Sequence, residues 1–372
     1  MNVITVTLSH FRNFSEETIH LHPGINLFSG QNAQGKTNLL ESLFYLSTLR
    51  PLRPVKEREM IQFGFPEAKV TAKICSFQRE QCLSVGLSKE KRRVLCKNGV
   101  LQRKVQDFTG TLQSVFFSPD DLLLIKEGPA GRRRMIDLAL SQLRPRYAGI
   151  LTEYNRLLEQ KGKILKQAEE KPSLLELLPV YNEKMVQAAG QIIAFRHAYC
   201  KLLSQYCERI HHNISGGKDT LKLAYTSLSN LPDTSLPPEQ LTILAREHMN
   251  AHSKAELASK MCLSGPHKDD LQIFINETPA KSFGSQGQIR TAVLSLKLAE
   301  RDILKKETGQ SPVLLLDDVL SELDSKRQDF VLNRIAGGQV LISCCSIDRS
   351  ARAYAGKQFS VVNGSIRECT DF

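Results

Sequence analysis

The chain opens on an alternating pattern. Val3, Thr5 and Thr7 interleave with Ile4, Val6 and Leu8, the period of a half-buried strand. A second strand is predicted over Ile25, Asn26, Leu27 and Phe28, stopped by Ser29 and Gly30. Residues 69–117 hold several short β-rich runs. Among them Asn98-Gly99, between Val94-Leu95-Cys96 and Val100-Leu101, predicts a two-residue hairpin turn, because both positions tolerate positive φ.

The middle changes period. Over residues 132–212 apolar positions recur every three or four residues, which predicts helices with an interruption near Lys171-Pro172-Ser173. Met185, Ala188, Ala189, Ile192, Ile193, Tyr199, Leu202 and Leu203 form one stripe and are expected to pack in a core. Residues 227–240, with Pro232, Pro237 and Pro238, are expected to be a loop. Strand and helix then alternate again. Val313-Leu314-Leu315-Leu316 and Val340-Leu341-Ile342-Ser343 are short apolar runs of the kind buried in a parallel sheet, and a helix is predicted over 292–304. No internal repeat is visible.

Composition narrows the setting. There are 50 Lys and Arg against 39 Asp and Glu, a net charge of +11. That balance favours a polyanionic partner. No basic amphipathic helix, lipidation signal or long apolar run points to a membrane, so nucleic acid is the better match. The N-terminal stretch reads as strand rather than secretory leader. Nine cysteines lie without ligand spacing, as expected for reduced thiols, and the expected location is the cytoplasm.

The sharpest signal is Gly30-Gln31-Asn32-Ala33-Gln34-Gly35-Lys36-Thr37. It follows a predicted strand and leads into an apolar helix. Glycines there let the loop wrap a phosphate, and backbone N–H groups and the helix N-terminus face the anion. Lys36 would neutralise β- and γ-phosphate oxygens, and Thr37 would ligate Mg²⁺. Far along the chain the run 313–316 ends in Asp317-Asp318. Alone, this pair could be an acidic turn. With a phosphate loop upstream, Asp317 would hold Mg²⁺, directly or through water, and Asp318 would position or deprotonate an attacking water. Both carboxylates can serve one site only if the chain turns just beyond the strand.

Ser282-Phe283-Gly284-Ser285-Gln286-Gly287-Gln288 precedes the 292–304 helix. Serine and glycine amides at a helix start can bind an anion, or can simply cap the helix. The assembly resembles the ABC/SMC ATPases, with Ser285, Gln286 and Gly287 in the signature segment and Ser321-Glu322-Leu323-Asp324 like the D-loop. Within that superfamily the match is to the RecF family. Residues 30–42, 118–137, 265–271, 282–300 and 314–324 resemble it in the same order along nearly the whole chain.

The resemblance implies an α/β fold, an ABC/SMC-type head with a phosphate-loop sheet lobe (1–125 and 300–372) and an inserted, mainly helical lobe (126–299). It also implies a DNA repair protein with ATP and Mg²⁺ as ligands and slow, DNA-dependent ATP hydrolysis. Two copies would pair head to tail, the signature of each completing the other's nucleotide site. Such a pair would recognise DNA at single-strand gaps, act with RecR, RecO and RecA, and support replication restart and the SOS response. Three departures from the family pattern stand out: Pro51-Leu52 after Arg50, Gln160-Lys161-Gly162-Lys163 in place of an Arg-Asn pair, and Cys344-Cys345 in place of a threonine-rich segment. His267 is expected to be structural rather than a metal ligand.

Candidate DNA contacts are Arg50, Arg53, Lys56 and Arg58, then Lys89, Lys91, Arg92 and Arg93, then Arg132, Arg133 and Arg134. Any such run can equally be a solvated face. Trp is absent, so backbone contacts to duplex fit better than base stacking. A transporter ATPase subunit, a repair nuclease with an ATPase domain and a non-catalytic DNA scaffold are the competing readings.

Overall fold

A computed structural model describes residues 1–228, 231, 233–335, 337–345 and 355–369. In chain order the first segment carries strands β1 (Asn2–Phe11), β2 (Phe14–His20) and β3 (Ile25–Ser29), helix α1 (Lys36–Thr48), and strands β4 (Glu67–Ser76), β5 (Arg79–Ser88), β6 (Val94–Lys97), β7 (Val100–Gln102) and β8 (Ser114–Phe117). The middle holds α2 (Leu123–Lys126), α3 (Pro129–Leu143), α4 (Pro145–Gln167), α5 (Leu178–Ser215), β9 (Leu221–Thr226), α6 (Pro238–Ser259), β10 (Asp270–Ile275), β11 (Thr278–Pro279) and α7 (Ala280–Phe283). Then follow α8 (Gln286–Thr308), β12 (Val313–Asp317), α9 (Ser325–Ile335), β13 (Val340–Cys344), β14 (Ala355–Val362) and β15 (Ser365–Glu368).

Two compact units result. One combines Met1–Asp121 with Lys297–Phe372, the other is Leu122–Leu296, and the division falls within α8.

The first unit has two six-stranded sheets. One is ordered β2-β1-β4-β5-β6-β7 and is antiparallel throughout. The other runs β15-β14-β3-β13-β12-β8, parallel from β14 to β8. Its centre is apolar on both faces: Leu314, Leu315 and Leu316 of β12 and Leu341 and Ile342 of β13 are buried. That double burial explains why these runs do not alternate. Parallel pairing puts the C-terminal ends of β3, β12 and β13 at the same edge, where ligand sites of open α/β sheets form.

Two local features differ from the simplest pattern. In β1, Val3, Val6 and Leu8 are all buried, because a register shift between Val3 and Thr5 changes which face the chain presents. The predicted continuous helix before residue 171 is instead two, α3 and α4, divided at Arg144-Pro145. Proline takes the first position of α4, where its missing N–H leaves no bond unmade. The β6–β7 turn has Asn98 and Gly99 both at positive φ, as a type I′ hairpin requires. The expected loop at 227–240 yields to α6 at Pro238, and Pro232 lies outside the described residues.

In the second unit α5 packs against α4, α6 and β9. The expected stripe faces the core: Met185, Ala189, Ile192, Ile193, Tyr199 and Leu203 are buried.

Candidate nucleotide site

Backbone conformation sets the loop that leads into α1. Gly35 has φ of 117°, and a Cβ there would fall 2.6 Å from the Asn13 amide nitrogen. At Gly30 a Cβ would sit 2.3 Å from the Val361 carbonyl oxygen. These two positions therefore need glycine, one for its φ and a close neighbour, the other for close approach of β14. Asn13 clasps the loop from the β1–β2 turn: its amide donates to the Gln34 carbonyl at 2.9 Å and its oxygen accepts from Asn38 at 2.8 Å. From the β14–β15 turn, the Asn363 and Gly364 N–H groups donate to the Gln34 side chain and carbonyl. Beneath the turn, Arg12 pairs with buried Glu41 of α1 at 2.9 Å.

Lys36 is nearly buried and donates to the Gly30 and Gln31 carbonyls at 2.6 and 2.9 Å. Thr37 donates to the Asp317 carboxylate, with oxygens at 2.8 and 3.0 Å. Ser343 of β13 donates to the same carboxylate at 2.6 Å and accepts from the Asp318 N–H at 3.1 Å. The turn past β12 is made by Asp318 itself, at φ of 53°. A non-glycine residue there carries strain, and the consequence is that Asp317 and Asp318 line one cavity. Asn32, Ala33, Gly35, Lys36 and Thr37 complete its loop side, and Arg53 and Asp120 also line it. The cavity holds about 280 Å³.

The residues fit a magnesium–triphosphate. A hydroxyl and a carboxylate in contact are hard oxygen donors, and Mg²⁺ usually takes only one or two protein ligands when phosphates supply others. No group of three or more His, Cys, Asp or Glu side chains that could hold a metal by itself occurs among the described residues.

In the other unit, Ser285 and Gln288 form a reciprocal cap at the start of α8. The Ser285 hydroxyl accepts from the Gln288 N–H at 3.3 Å, and the Gln288 side chain accepts from the Ser285 N–H at 3.0 Å. Gln286 and Gly287 are the first two residues of that helix.

Comparison with known proteins settles the lineage. Residues 2–363 match the family model described as RecF/RecN/SMC N terminal domain. The chain is 38% identical over 344 residues to the DNA replication and repair protein RecF of Acetivibrio thermocellus, covering 92% of this chain and 93% of that one. It belongs to the RecF family. A RecF of Lachnospira eligens is 36% identical, over 98% of this chain and 99% of its own. A solved structure of the recombination mediator protein RecF-ATPrS in the RecFOR pathway superposes with a TM-score of 0.91 at 30% identity, covering 99% and 98% of the two chains. The Smc head domain from Pyrococcus furiosus, at 15% identity and a TM-score of 0.54, shares the fold. The α/β head architecture expected from the RecF resemblance is therefore the one this chain has.

RecF-family membership leaves the basic residues to be sorted by their surroundings. Arg132 is corrected: it is buried, grips Asp270 through two bonds at 2.8 and 3.0 Å, and donates to the Leu124 and Glu127 carbonyls, so its charge is committed inside the fold. Arg133 is half-buried and donates to the Asp269 carbonyl at 2.7 Å, and Arg134 is also half-buried and engaged. Arg93 is likewise held by Glu57 and the Leu49 carbonyl. Arg50, Arg53, Lys56, Lys89, Lys91 and Arg92 are exposed. Of these, Arg53 lines the phosphate cavity, 3.8 Å from Asp120.

Sequence reasoning passed over Asn13, and met Ser343 and Cys345 only as the end of an apolar run and a departure from the family's threonine-rich segment. The first was readable as a turn residue between two strands; Ser343 lies in β13 and Cys345 just past its end. The Cys345 sulfur lies 2.9 Å from the Asn32 side-chain oxygen and 3.4 Å from an Asp318 oxygen. In the segment like a D-loop, Ser321 donates to the Asp318 carbonyl at 2.8 Å. The Glu322 side chain and Ser346 lie outside the described residues.

Proposed function

We propose that this chain is an ATP-dependent DNA-binding protein of recombinational repair and replication restart, acting in the cytoplasm as a pair of copies joined through bound ATP. The observation that carries the reading is the cavity in which the Thr37–Asp317 pair and Asp318 face the phosphate loop. Its supports are the RecF name of the relatives and the nucleotide in the similar solved structure.

On this reading Lys36 turns from the loop carbonyls to β- and γ-phosphate oxygens, while residues 30–35 supply N–H donors. Thr37 and Asp317 hold Mg²⁺, which would neutralise charge developing on the phosphates. Asp318 orients the attacking water or takes its proton. Aspartate is one methylene shorter than glutamate, so the water sits less well and turnover is slow. Ser285, Gln286 and Gly287 of a second copy close the nucleotide site from the other side. ATP charge then joins two basic surfaces that repel each other without it, and hydrolysis releases them. Arg50, Lys56 and Arg58 remain the DNA-contact candidates of the first basic run, while Arg53 is better placed for nucleotide. RecR, RecO and RecA are the expected partners at single-strand gaps, in support of the SOS response.

The test is binding to gapped and intact duplex, with and without Mg-ATP, across a salt series. ATP should tighten binding, favour the gap and give a steep loss with salt. Binding indifferent to ATP would reduce the protein to a scaffold, metal-dependent cleavage would make it a nuclease, and association with lipid would favour a transporter subunit.

A further inference from the structure

We infer that Cys345 is a positioning residue for Asp318, and that its single S–H is shared between the phosphate loop and that carboxylate. The inference deepens the ATP reading above and rests on it.

The placement is unusual for a cysteine. A thiol near a strand end is ordinarily a small core residue. Of the nine free cysteines Cys345 is the exposed one, and its sulfur is surrounded by polar groups: the Asn32 oxygen at 2.9 Å, Asp318 Oδ2 at 3.4 Å and Lys36 Nζ at 3.9 Å. The end of β13 explains the arrangement. Ser343 lies in β13 and Cys345 is the first residue past its end, where the chain leaves the sheet edge, so Ser343 reaches Asp317 and Cys345 reaches Asp318.

A thiol has one hydrogen. Asn32 and Asp318 both offer acceptor oxygens, so the S–H can satisfy only one at a time. Asn32 and Lys36 belong to the loop that would wrap the phosphates. When that loop is engaged, its polar groups turn to phosphate oxygens and the S–H passes to Asp318, fixing the carboxylate as the water is to be oriented. Loop occupancy and the state of the acid are thus joined by one weak donor. A hydroxyl can make the same exchange; a methyl cannot.

The experiment compares the full-length wild type with Cys345→Ala and Cys345→Ser. ATP affinity is measured by titration calorimetry and phosphate release by single-turnover kinetics on gapped duplex. Cys345→Ala should bind ATP within about twofold of wild type yet release phosphate about tenfold more slowly, and Cys345→Ser should recover to within about threefold. N-ethylmaleimide, which forms a carbon–sulfur bond as its alkene takes up a proton, should stop turnover of wild type but spare Cys345→Ser, with Mg-ATP slowing the reaction at Cys345. Phosphate release by Cys345→Ala at the wild-type rate overturns the inference, as does a Ser variant no faster than the Ala variant. Equal sensitivity of wild type and Cys345→Ser to the maleimide counts against it too. A wild type that binds no ATP sinks the underlying reading, and the inference with it.

Discussion

Of the three Asp-Asp pairs in this chain, two directly adjoin apolar strand residues, Asp269-Asp270 and Asp317-Asp318, and the fold uses them in opposite ways. Asp269 is buried and fully committed: Arg196 donates to it at 2.8 Å, Ser227 at 2.6 Å, and Tyr225 completes its shell. Arg196 in turn pairs with Asp137 and donates to the Pro266 carbonyl. Asp270 is taken by Arg132. The other pair, Asp317 and Asp318, meets hydroxyls and a thiol, and faces a cavity. Acids matched by buried arginine build a scaffold. Acids held only by neutral donors keep their charge for something that arrives from outside.

The comparison breaks most severely at Arg196. Removing it as Arg196→Met leaves Asp137 and Asp269 without their cation, and the expected loss is about 3–5 kcal/mol in urea unfolding. A loss near the small value typical of surface substitutions would mean that this network is not structural. The mirror experiment is Asp318→Asn. ATP binding and pairing should persist and unfolding should barely shift, while phosphate release falls by about two to three orders of magnitude. Release at the wild-type rate removes Asp318 from the chemistry.

A smaller effect sharpens the contrast through pH. In the helical unit both ring nitrogens of neutral His267 are bonded: Nε2 donates to the Cys262 carbonyl at 3.1 Å and Nδ1 accepts from the Tyr154 hydroxyl at 2.7 Å. Burial lowers it from 6.5 to about 4. Its folded value is depressed, so its contribution is present above pH 6.5 and is lost as pH falls toward 4, on the order of 2–3 kcal/mol. In the sheet unit burial raises Glu300, beside Lys297 and Asp121, from 4.5 to about 6. Its contribution is present below pH 4.5 and fades as pH rises through 6, about 2 kcal/mol at most. Urea midpoints followed from pH 4 to 7.5 should therefore lose their acid-side drop in His267→Gln and their decline toward neutrality in Glu300→Gln. Parallel curves for wild type and both variants would contradict these assignments.

How much of this was legible beforehand depended on how far each feature lies from its cause. The phosphate loop is contiguous, and glycine spacing carries its geometry directly. The all-apolar runs of β12 and β13 revealed a doubly covered sheet for the same reason. What was hidden is set by partners distant in sequence. Arg132 looked like a free cation in a basic triplet, and only folding brings Asp270 to it. The phase of β1 depends on a bulge against β4, which alternation cannot show. That Asp317 and Asp318 could share one site was expected from the phosphate loop upstream, but not that Asp318 itself makes the left-handed turn, a conformation to which aspartate is only mildly predisposed. Cys345 showed only as a departure from the family's threonine-rich segment, because its partners Asn32 and Asp318 are distant in sequence.

The central claim is that the cavity of the sheet unit takes ATP whose phosphates a second copy completes. Sedimentation velocity on the wild type and Lys36→Ala, with and without saturating Mg-ATP over a wide protein concentration range, tests it most directly. The account predicts a nucleotide-dependent dimer for wild type and a monomer throughout for Lys36→Ala. Single copies of wild type at every concentration with Mg-ATP bound, or an undiminished dimer in Lys36→Ala, would contradict it.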